Sequence, residues 1–334
     1  MVVLCGRNLS KMDKFLLFFY NLHLTIELDC EVFFMRTFIG VDLGGTNIRA
    51  AKVDEEGTIL QMVKDVSEPE KGAEHVLNKM IELIERIDGY QDCEGIGMGI
   101  PGPIDTIHGK IIVSTNLPKL VGYPIADYIS DHFKKPVFMD NDVKVACLGE
   151  ACSGAGKGYP IVYYVTISTG IGGALSINQK VLSGQNGHAG EIGNICIDRN
   201  REKYNILNIG AAENECSGTA ITRKGKVIFG DETIQHAGDV FELARQKDER
   251  ALKIVDDLAY DLAMMFSAIA HVVDPHVFVL GGGVMKGKDV FFEKMEAYYR
   301  QMIHVGMQPV VFKEAFLEEP GIVGAAMLPM TKIK

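Results

Sequence analysis

The run Gly40-Val41-Asp42-Leu43-Gly44-Gly45-Thr46-Asn47-Ile48-Arg49 has the residue types of a phosphate cradle. Adjacent glycines let the backbone turn tightly and approach a ligand where a Cβ would clash. Successive N–H groups in such a turn form a concave anion site. Asp42 closes an apolar stretch that begins at Phe38, where a carboxylate can hold the water shell of Mg2+. Thr46 adds a hydroxyl donor. The same run also suits an ordinary glycine hairpin, so its meaning depends on what else the chain brings to it.

Asp140-Asn141-Asp142-Val143-Lys144 lies between a predicted strand and a predicted helix. Asn141 or Asp142 can cap that helix. Alternatively, Asp142 at a strand end can accept the proton of a hydroxyl attacking a phosphoryl group. Glu191, in Gly187-His188-Ala189-Gly190-Glu191-Ile192-Gly193, and Glu213, before Asn214-Glu215-Cys216-Ser217-Gly218, supply carboxylates suited to sugar hydroxyls. Surface glutamates are also ordinary. Asn116, before Leu117-Pro118, reads as a further hydroxyl contact or as a turn residue. Two other glycine runs fail their chemistry. Gly97 to Gly102 matches a dinucleotide fingerprint, but Pro101 and Pro103 crowd the helix that must follow. Gly282 to Lys288 approaches a P-loop, yet Asp289 stands where Ser or Thr must meet Mg2+.

These residues need strands and helices to aim them. The pattern predicts strands at Thr37–Val41, Asn47–Val53 and Thr58–Met62 as an antiparallel meander. An amphipathic helix from Ala73 to Ile87, a buried strand at Gly95–Ile100, a helix at Ile125–Phe133, a strand at Pro136–Met139 and a helix at Val143–Ala151 follow. A second cycle opens with a strand at Ile161–Ile167, the glycine turn Ser168–Gly173 and a strand at Ala174–Ile177. A long helix over Leu252–Val273 then leads to the strand Val277–Leu280 and Gly281-Gly282-Gly283; Ile322 to Met330 reads as a packed helix. Two α/β halves, each with a glycine turn after its first strand, predict a duplicated two-domain protein with a nucleotide in the cleft.

With 334 residues, 47% of them hydrophobic and 23% charged, the chain suits a globular protein of about two domains. A net charge of −10 argues against binding nucleic acid or anionic membrane, since both need a cationic face. Seven scattered cysteines without a Cys-x-x-Cys spacing argue against a disulfide framework and predict a reducing, cytoplasmic setting. The first 34 residues contain Phe15-Leu16-Leu17-Phe18-Phe19-Tyr20 behind Lys11 and Lys14, but Asn21, His23, Glu27 and Asp29 interrupt the run far short of a membrane span. Residues 1–34 are expected to lie outside the fold, with Met35 as the natural start.

The ordered set Asp42-Leu43-Gly44-Gly45-Thr46, Pro101-Gly102-Pro103, Asn116-Leu117-Pro118, Asn141-Asp142, Ser168 to Gly173, Gly190-Glu191-Ile192-Gly193 and Leu280 to Val284 resembles the ROK family of repressors and sugar kinases over Arg36 to about Met330. The resemblance implies the actin-like, ribonuclease-H-like two-domain ATPase fold. Its small domain would be 35–145 completed by a C-terminal helix at 320–334, and its larger domain 146–319. It also implies transfer of the γ-phosphoryl of ATP to a hexose, usually at the 6-hydroxyl, with Mg2+, in a homodimer. Asp42, Gly44, Gly45 and Thr46 match the first phosphate motif, and Thr169, Gly170 and Gly172 the second. Gly281 and Gly282 match the adenosine motif, Asp142 the general base, and Gly102, Asn116, Asn141, Glu191 and Glu213 the sugar site.

The chain departs from the family where a structural zinc is usual. The positions of its one His and three Cys ligands hold Asn194, Tyr204, Ile206 and Ala211, which cannot replace imidazole and thiolate. No zinc is expected, and Ile206, Leu207 and Ile209 are expected to hold the loop by apolar packing. The His usually also touches the sugar, so Asn194 leaves the hexose open. Lys144 stands where the family has Asn, and a cation there is expected to keep Asp142 ionised. The family also contains repressors with an N-terminal helix-turn-helix, but only 41 residues precede Asp42 and they are neither basic nor patterned for that unit. A sugar-sensing protein with weak or no kinase activity is the alternative to the kinase.

Overall fold

The computed structural model describes residues 35–307 and 309–333, and the expectation about residues 1–34 lies outside them. Strand β1 (Thr37–Leu43) is buried on both faces and therefore reads as a continuous apolar run. It pairs antiparallel with β2 (Asn47–Asp54), and β2 pairs antiparallel with the edge strand β3 (Ile59–Val66), whose alternating exposure matches a strand with one face covered. On its other side β1 pairs parallel with β4 (Ile96–Ile100). A short hairpin follows, β5 (Ile104–Asp105) with β6 (Lys110–Ile111), and β7 (Val137–Asn141) then adds parallel to β4. The sheet order is β3-β2-β1-β4-β7.

The second sheet repeats the plan. It contains β8 (Ile161–Ile167), β9 (Ile171–Ile177), β10 (Lys180–Val181), β11 (Val277–Gly281) and β12 (Val311–Glu314), in the order β10-β9-β8-β11-β12. Again the antiparallel hairpin occupies one side and the parallel strands the other. One expectation is corrected. Gly172 and Gly173 belong to β9 and pair with Thr166 and Val165, so the turn itself is only Ser168 to Gly170. Glycine there serves close packing, not the turn: a Cβ on Gly173 would lie 2.6 Å from Ile192 Cδ1.

Helices α1 (Ala73–Glu85) and α2 (Ile125–Phe133) cover one face of the first sheet through Leu77, Met80, Ile84 and Ile129. Helix α3 (Asp142–Cys152) lies between the two sheets. Val145 and Leu148 share a core with Phe38 and Val53, while Ala146 and Ala151 share another with Val162 and Val279. Burial on both sides explains why its sequence has no amphipathic stripe. Helices α4 (Ala212–Cys216), α5 (Gly218–Phe229), α6 (Ala237–Arg245), α7 (Glu249–Val273) and α8 (Lys288–Met302) follow. Phe241, Phe266, Phe291 and Tyr299 from this group pack with Val165 and Phe278 of the second sheet. Helix α9 (Pro320–Lys332) returns to the first sheet and crosses α3 so closely that a Cβ on Gly324 would lie 1.6 Å from the Val145 carbonyl oxygen. The two connections between the sheets meet at the fully buried Glu150. Its carboxylate accepts from Ala155 N at 2.7 Å, Leu317 N at 2.9 Å and Phe316 N at 3.0 Å.

Candidate functional site

The first glycine turn joins β1 to β2, and Gly44 N donates to Asn47 O at 2.8 Å. Asp42, one residue from the end of β1, accepts from Arg49 of β2, and the same guanidinium reaches Glu319 at the N-terminus of α9. Burial acts to lower the Arg49 pKa, but the two carboxylates outweigh it and hold that pKa above its usual value. Thr46 and Asn116 are exposed, and a Cβ on Gly45 would sit 3.2 Å from Asn116 Cβ.

Asp142 begins α3 directly after β7. Asn141 is the cap: its Oδ1 accepts from Val143 N at 3.0 Å and Lys144 N at 3.4 Å, and its Nδ2 donates to Gly102 O at 3.2 Å. Gly102 has φ +104°, a conformation glycine adopts at no steric cost. The Asp142 carboxyl accepts from Val143 N at 2.9 Å, and its pKa is raised, first by burial and then by the negative charge of Asp42. The expectation for Lys144 is overturned. Two residues along a helix is about 200° of rotation, so Lys144 points away from Asp142. Its Nζ donates to Gly187 O at 2.6 Å and Ser183 O at 3.2 Å, and lies 4.0 Å from Asp140. Burial lowers its pKa, with Asp140 and the exposed Glu191 opposing.

The second turn joins β8 to β9, and Ser168 N donates to Gly170 O at 2.8 Å. Glu213 on α4 braces it: Oε2 accepts from Ile171 N at 2.9 Å, and a Cβ on Gly170 would meet the same oxygen at 2.5 Å. A Cβ on Gly172 would lie 2.8 Å from Val143 Cγ2, which joins this hairpin to the start of α3. The structure thus brings Gly102, Asn141, Asp142, Gly172, Gly170 and Glu213 into one connected chain of neighbours, and separately sets Gly45 against Asn116. Gly281 ends β11 against Tyr164, whose hydroxyl a Cβ there would meet at 2.6 Å. Gly282, with φ +93°, turns against Ile167 O, where a Cβ would lie at 2.3 Å. Beside Thr169 and Gly283 opens a cleft of about 1000 Å3, walled by Thr219, Lys226, Phe241 and Lys286 among others. That size suits a nucleotide-scale ligand.

Sequence reasoning missed the cleft walls on α5 and α6. Their caps were readable: Ser217 Oγ accepts from Ala220 N at 3.2 Å, and His236 with Asp239 forms a capping box. It also assigned no role to Arg49, Glu319 or Glu150. The apolar account of the loop after Asn194 is corrected as well. Ile206 is 96% exposed and Ile209 47%. Polar contacts hold the loop instead: Asn194 Oδ1 accepts from Asn208 N at 2.7 Å, Asn214 Nδ2 donates to Tyr204 O at 3.0 Å, and the Arg223 guanidinium sits 3.9 Å from the Tyr204 ring centre. Asn194, Tyr204, Ile206 and Ala211 offer no donor set for zinc. Among the described residues no group of three or more His, Cys, Asp or Glu side chains is arranged to hold a metal. For hydrated Mg2+ the fit is better, because the negative charge of Asp42 acts on Asp142 and two carboxylates in one field suit a hydrated dication. Among the described residues no helix is long and apolar enough to cross a membrane.

A profile of the ROK family matches residues 38–332. The glucokinase of Thermotoga maritima is 31% identical over 311 residues, covering 88% of this chain and 98% of its own. The structure of a ROK hexokinase from Thermus thermophilus matches with a TM-score of 0.80 at 30% identity, over 89% of this chain and 99% of that one. A ROK family glucokinase from Streptomyces griseus, solved in complex with glucose and AMPPNP, matches with a TM-score of 0.69 at 28% identity, over 87% of this chain and 98% of that one. The duplicated sheets are those of the actin-like ATPase fold, and the chain belongs to the ROK family.

Proposed function

We propose that this protein transfers the γ-phosphoryl group of ATP to the 6-hydroxyl of a hexose or hexose derivative, with Asp142 as general base. The observation that carries this reading is the position of Asp142. It stands at the β7–α3 junction, coupled electrostatically to Asp42 of the first turn and joined through Val143 to Gly172 beside the second. A carboxylate whose pKa is raised is a stronger base than an ordinary one. It takes the hydroxyl proton as the oxygen attacks phosphorus. Similarity to sugar kinases, one of them solved with glucose and AMPPNP, supports the substrate class.

In this reading the amides around Gly44, Gly45 and Gly170, with the hydroxyls of Thr46 and Thr169, hold phosphates, and Gly172 lets β9 approach α3. Gly281 and Gly282 leave room for adenosine beside the cleft. Asn116, Asn141, Glu191, Glu213 and the Gly102 turn hold the sugar. Asp42 and Asp142 would hold Mg2+ through water, and the ion would supply neutralisation of phosphate charge. We further assign the small lobe to residues 35–145 with 320–334, the larger lobe to 146–319, and a cytoplasmic homodimer as the working form. The test is a coupled ATP-consumption assay over glucose, allose, N-acetylmannosamine, N-acetylglucosamine and fructose, with Asp142→Asn as control. Turnover of at least one sugar that the variant loses is expected. Saturable sugar binding without turnover would instead identify a sensor.

A further inference from the structure

The contacts described above close the loop before α4, which carries Glu213, but do not tie that helix to the long helix α7 behind it. The loop leading into α4 contains the four positions where ligands are lacking; its Ile206 and Ile209 face solvent, while Ile195 and Ile197 pack on the core. Next to it lies a cluster of paired charges. Arg201, in the loop, spreads its three nitrogens over three carboxylates: Nε to Asp198 at 3.0 Å, Nη1 to Glu215 at 2.9 Å and Nη2 to Asp261 at 3.0 Å. Lys224 of α5 adds contacts to Glu215 at 2.9 Å and Asp261 at 3.8 Å. The Glu215 and Asp261 side chains are each 3% exposed. Two acids so buried destabilise the fold unless paired. Arg201 and Lys224 balance them one for one.

We propose that Arg201 is a positioning residue that takes over the mechanical part of the missing zinc. By joining Glu215 of α4 to Asp261 of α7 it fixes α4, and through α4 it fixes Glu213 against the second turn. Glu213 and Glu215 sit two residues apart on a five-residue helix, so their side chains leave it in roughly opposite directions. One reaches Ile171 N, the other the cluster. A pull at Glu215 therefore sets where Glu213 stands. Arginine is required for this, because its planar fork serves three carboxylates at once, whereas lysine offers a single point charge. The Asn194–Asn208 and Asn205–Asn214 hydrogen bonds then close the loop above the cluster.

The consequence for the sugar rests on the kinase reading; the consequence for the loop does not. The test uses the full chain, with Arg201→Met, Arg201→Lys and the charge-free triple variant Arg201→Met, Glu215→Gln, Asp261→Asn. Hydrogen exchange of the segment 195–211 should quicken roughly tenfold or more in Arg201→Met, less in Arg201→Lys, and stay at least about fivefold faster than wild type in the triple variant, which no longer buries unpaired acids but still lacks the link between α4 and α7. For whichever of glucose and N-acetylglucosamine is a substrate, Arg201→Met should raise its KM about tenfold while the KM for ATP moves less than about twofold. Dialysis of the wild type against a chelator, followed by Mg2+, should leave exchange and turnover unchanged. Unchanged exchange in Arg201→Met, a triple variant restored to the wild-type rate, or stoichiometric zinc whose removal loosens the segment would each overturn the proposal. Should the wild type phosphorylate no hexose, the kinase reading falls while the exchange measurements still decide the role of Arg201.

Discussion

The two glycine hairpins share a backbone device and differ in what braces it. In β1–β2 the turn is closed by Gly44 N on Asn47 O at 2.8 Å, and in β8–β9 by Ser168 N on Gly170 O at 2.8 Å. The first carries a carboxylate, Asp42, which Arg49 neutralises and ties to Glu319 of α9. The second carries only hydroxyls, Ser168 and Thr169, and is held from behind by Glu213 on Ile171 N. A duplicated scaffold has thus divided the labour, with fixed charge on one side of Asp142 and neutral donors on the other. The braces also differ in strength. The Arg49 pairs are partly exposed, with side-chain exposures of 35%, 18% and 30%, so water and salt weaken them. The Glu213 bond joins a charged acceptor to the amide of a buried strand residue, where water and salt weaken it less. The second turn should therefore suffer more from losing its brace.

The largest effect is expected where the two halves meet. Asp142→Asn should lower kcat by about 10^2–10^4-fold, the usual worth of a general base. Stability should move the other way. The folded pKa of Asp142 is raised, so the native state binds that proton more tightly than the unfolded chain does, and ionisation at neutral pH costs stability. The variant escapes that cost. Its melting temperature at pH 7 should equal or exceed the wild type's, and the gap should close as pH falls toward about 4, where the unfolded carboxyl also protonates. The acid limb of the wild-type kcat/KM profile should correspondingly lie above the ordinary carboxylate range. A variant that melts clearly lower than wild type at pH 7 would mean that Asp142 is chiefly structural.

The braces come next. Glu213→Ala should lower kcat/KM by about 10–100-fold, the equivalent of one charge-assisted hydrogen bond of roughly 1.5–3 kcal/mol. Arg49→Met should cost less, about tenfold, because Asp42 and Glu319 remain partly hydrated. It has a second signature that Glu213→Ala lacks. With the neutralising cation gone, Asp42 repels the Asp142 carboxylate more strongly, so the acid limb should shift to higher pH. Equal losses with no such shift would show that Arg49 merely packs.

What was legible follows from where chemistry forces a residue type. Both turns were readable because close backbone approach excludes a Cβ, and β1 and β8 because strands buried on both faces leave unbroken apolar runs. The Asn141-Asp142 pair was readable because a cap must sit where a strand gives way to a helix. The pairing of Arg49 with Glu319 spans 270 residues and leaves no spacing to find. Lys144 misled because its charge was read without its helical angle. The isoleucines of the loop misled because apolar composition was taken for burial, whereas the loop spends its contacts on Asn194, Asn205, Asn208 and Asn214. The absent stripe on α3 is the mark of a helix shared by two cores.

The smallest effect sharpens the contrast most. Glu319→Gln removes the outer carboxylate of the first brace but leaves Arg49 on Asp42 and an amide oxygen able to accept from the guanidinium. A partly exposed ion pair contributes about 0–1 kcal/mol, so kcat/KM should stay within roughly fivefold of wild type and the melting temperature within about 3 °C. Whatever difference remains should shrink as salt rises, because the lost interaction is one that ions screen. The Glu213→Ala deficit should persist in the same salt series, since a hydrogen bond to a buried amide is sheltered from it. If Glu319→Gln instead matched Glu213→Ala in size and resisted salt, the two hairpins would be braced alike. The Arg49 bridge would then be as integral to the first turn as the Glu213 carboxylate is to the second.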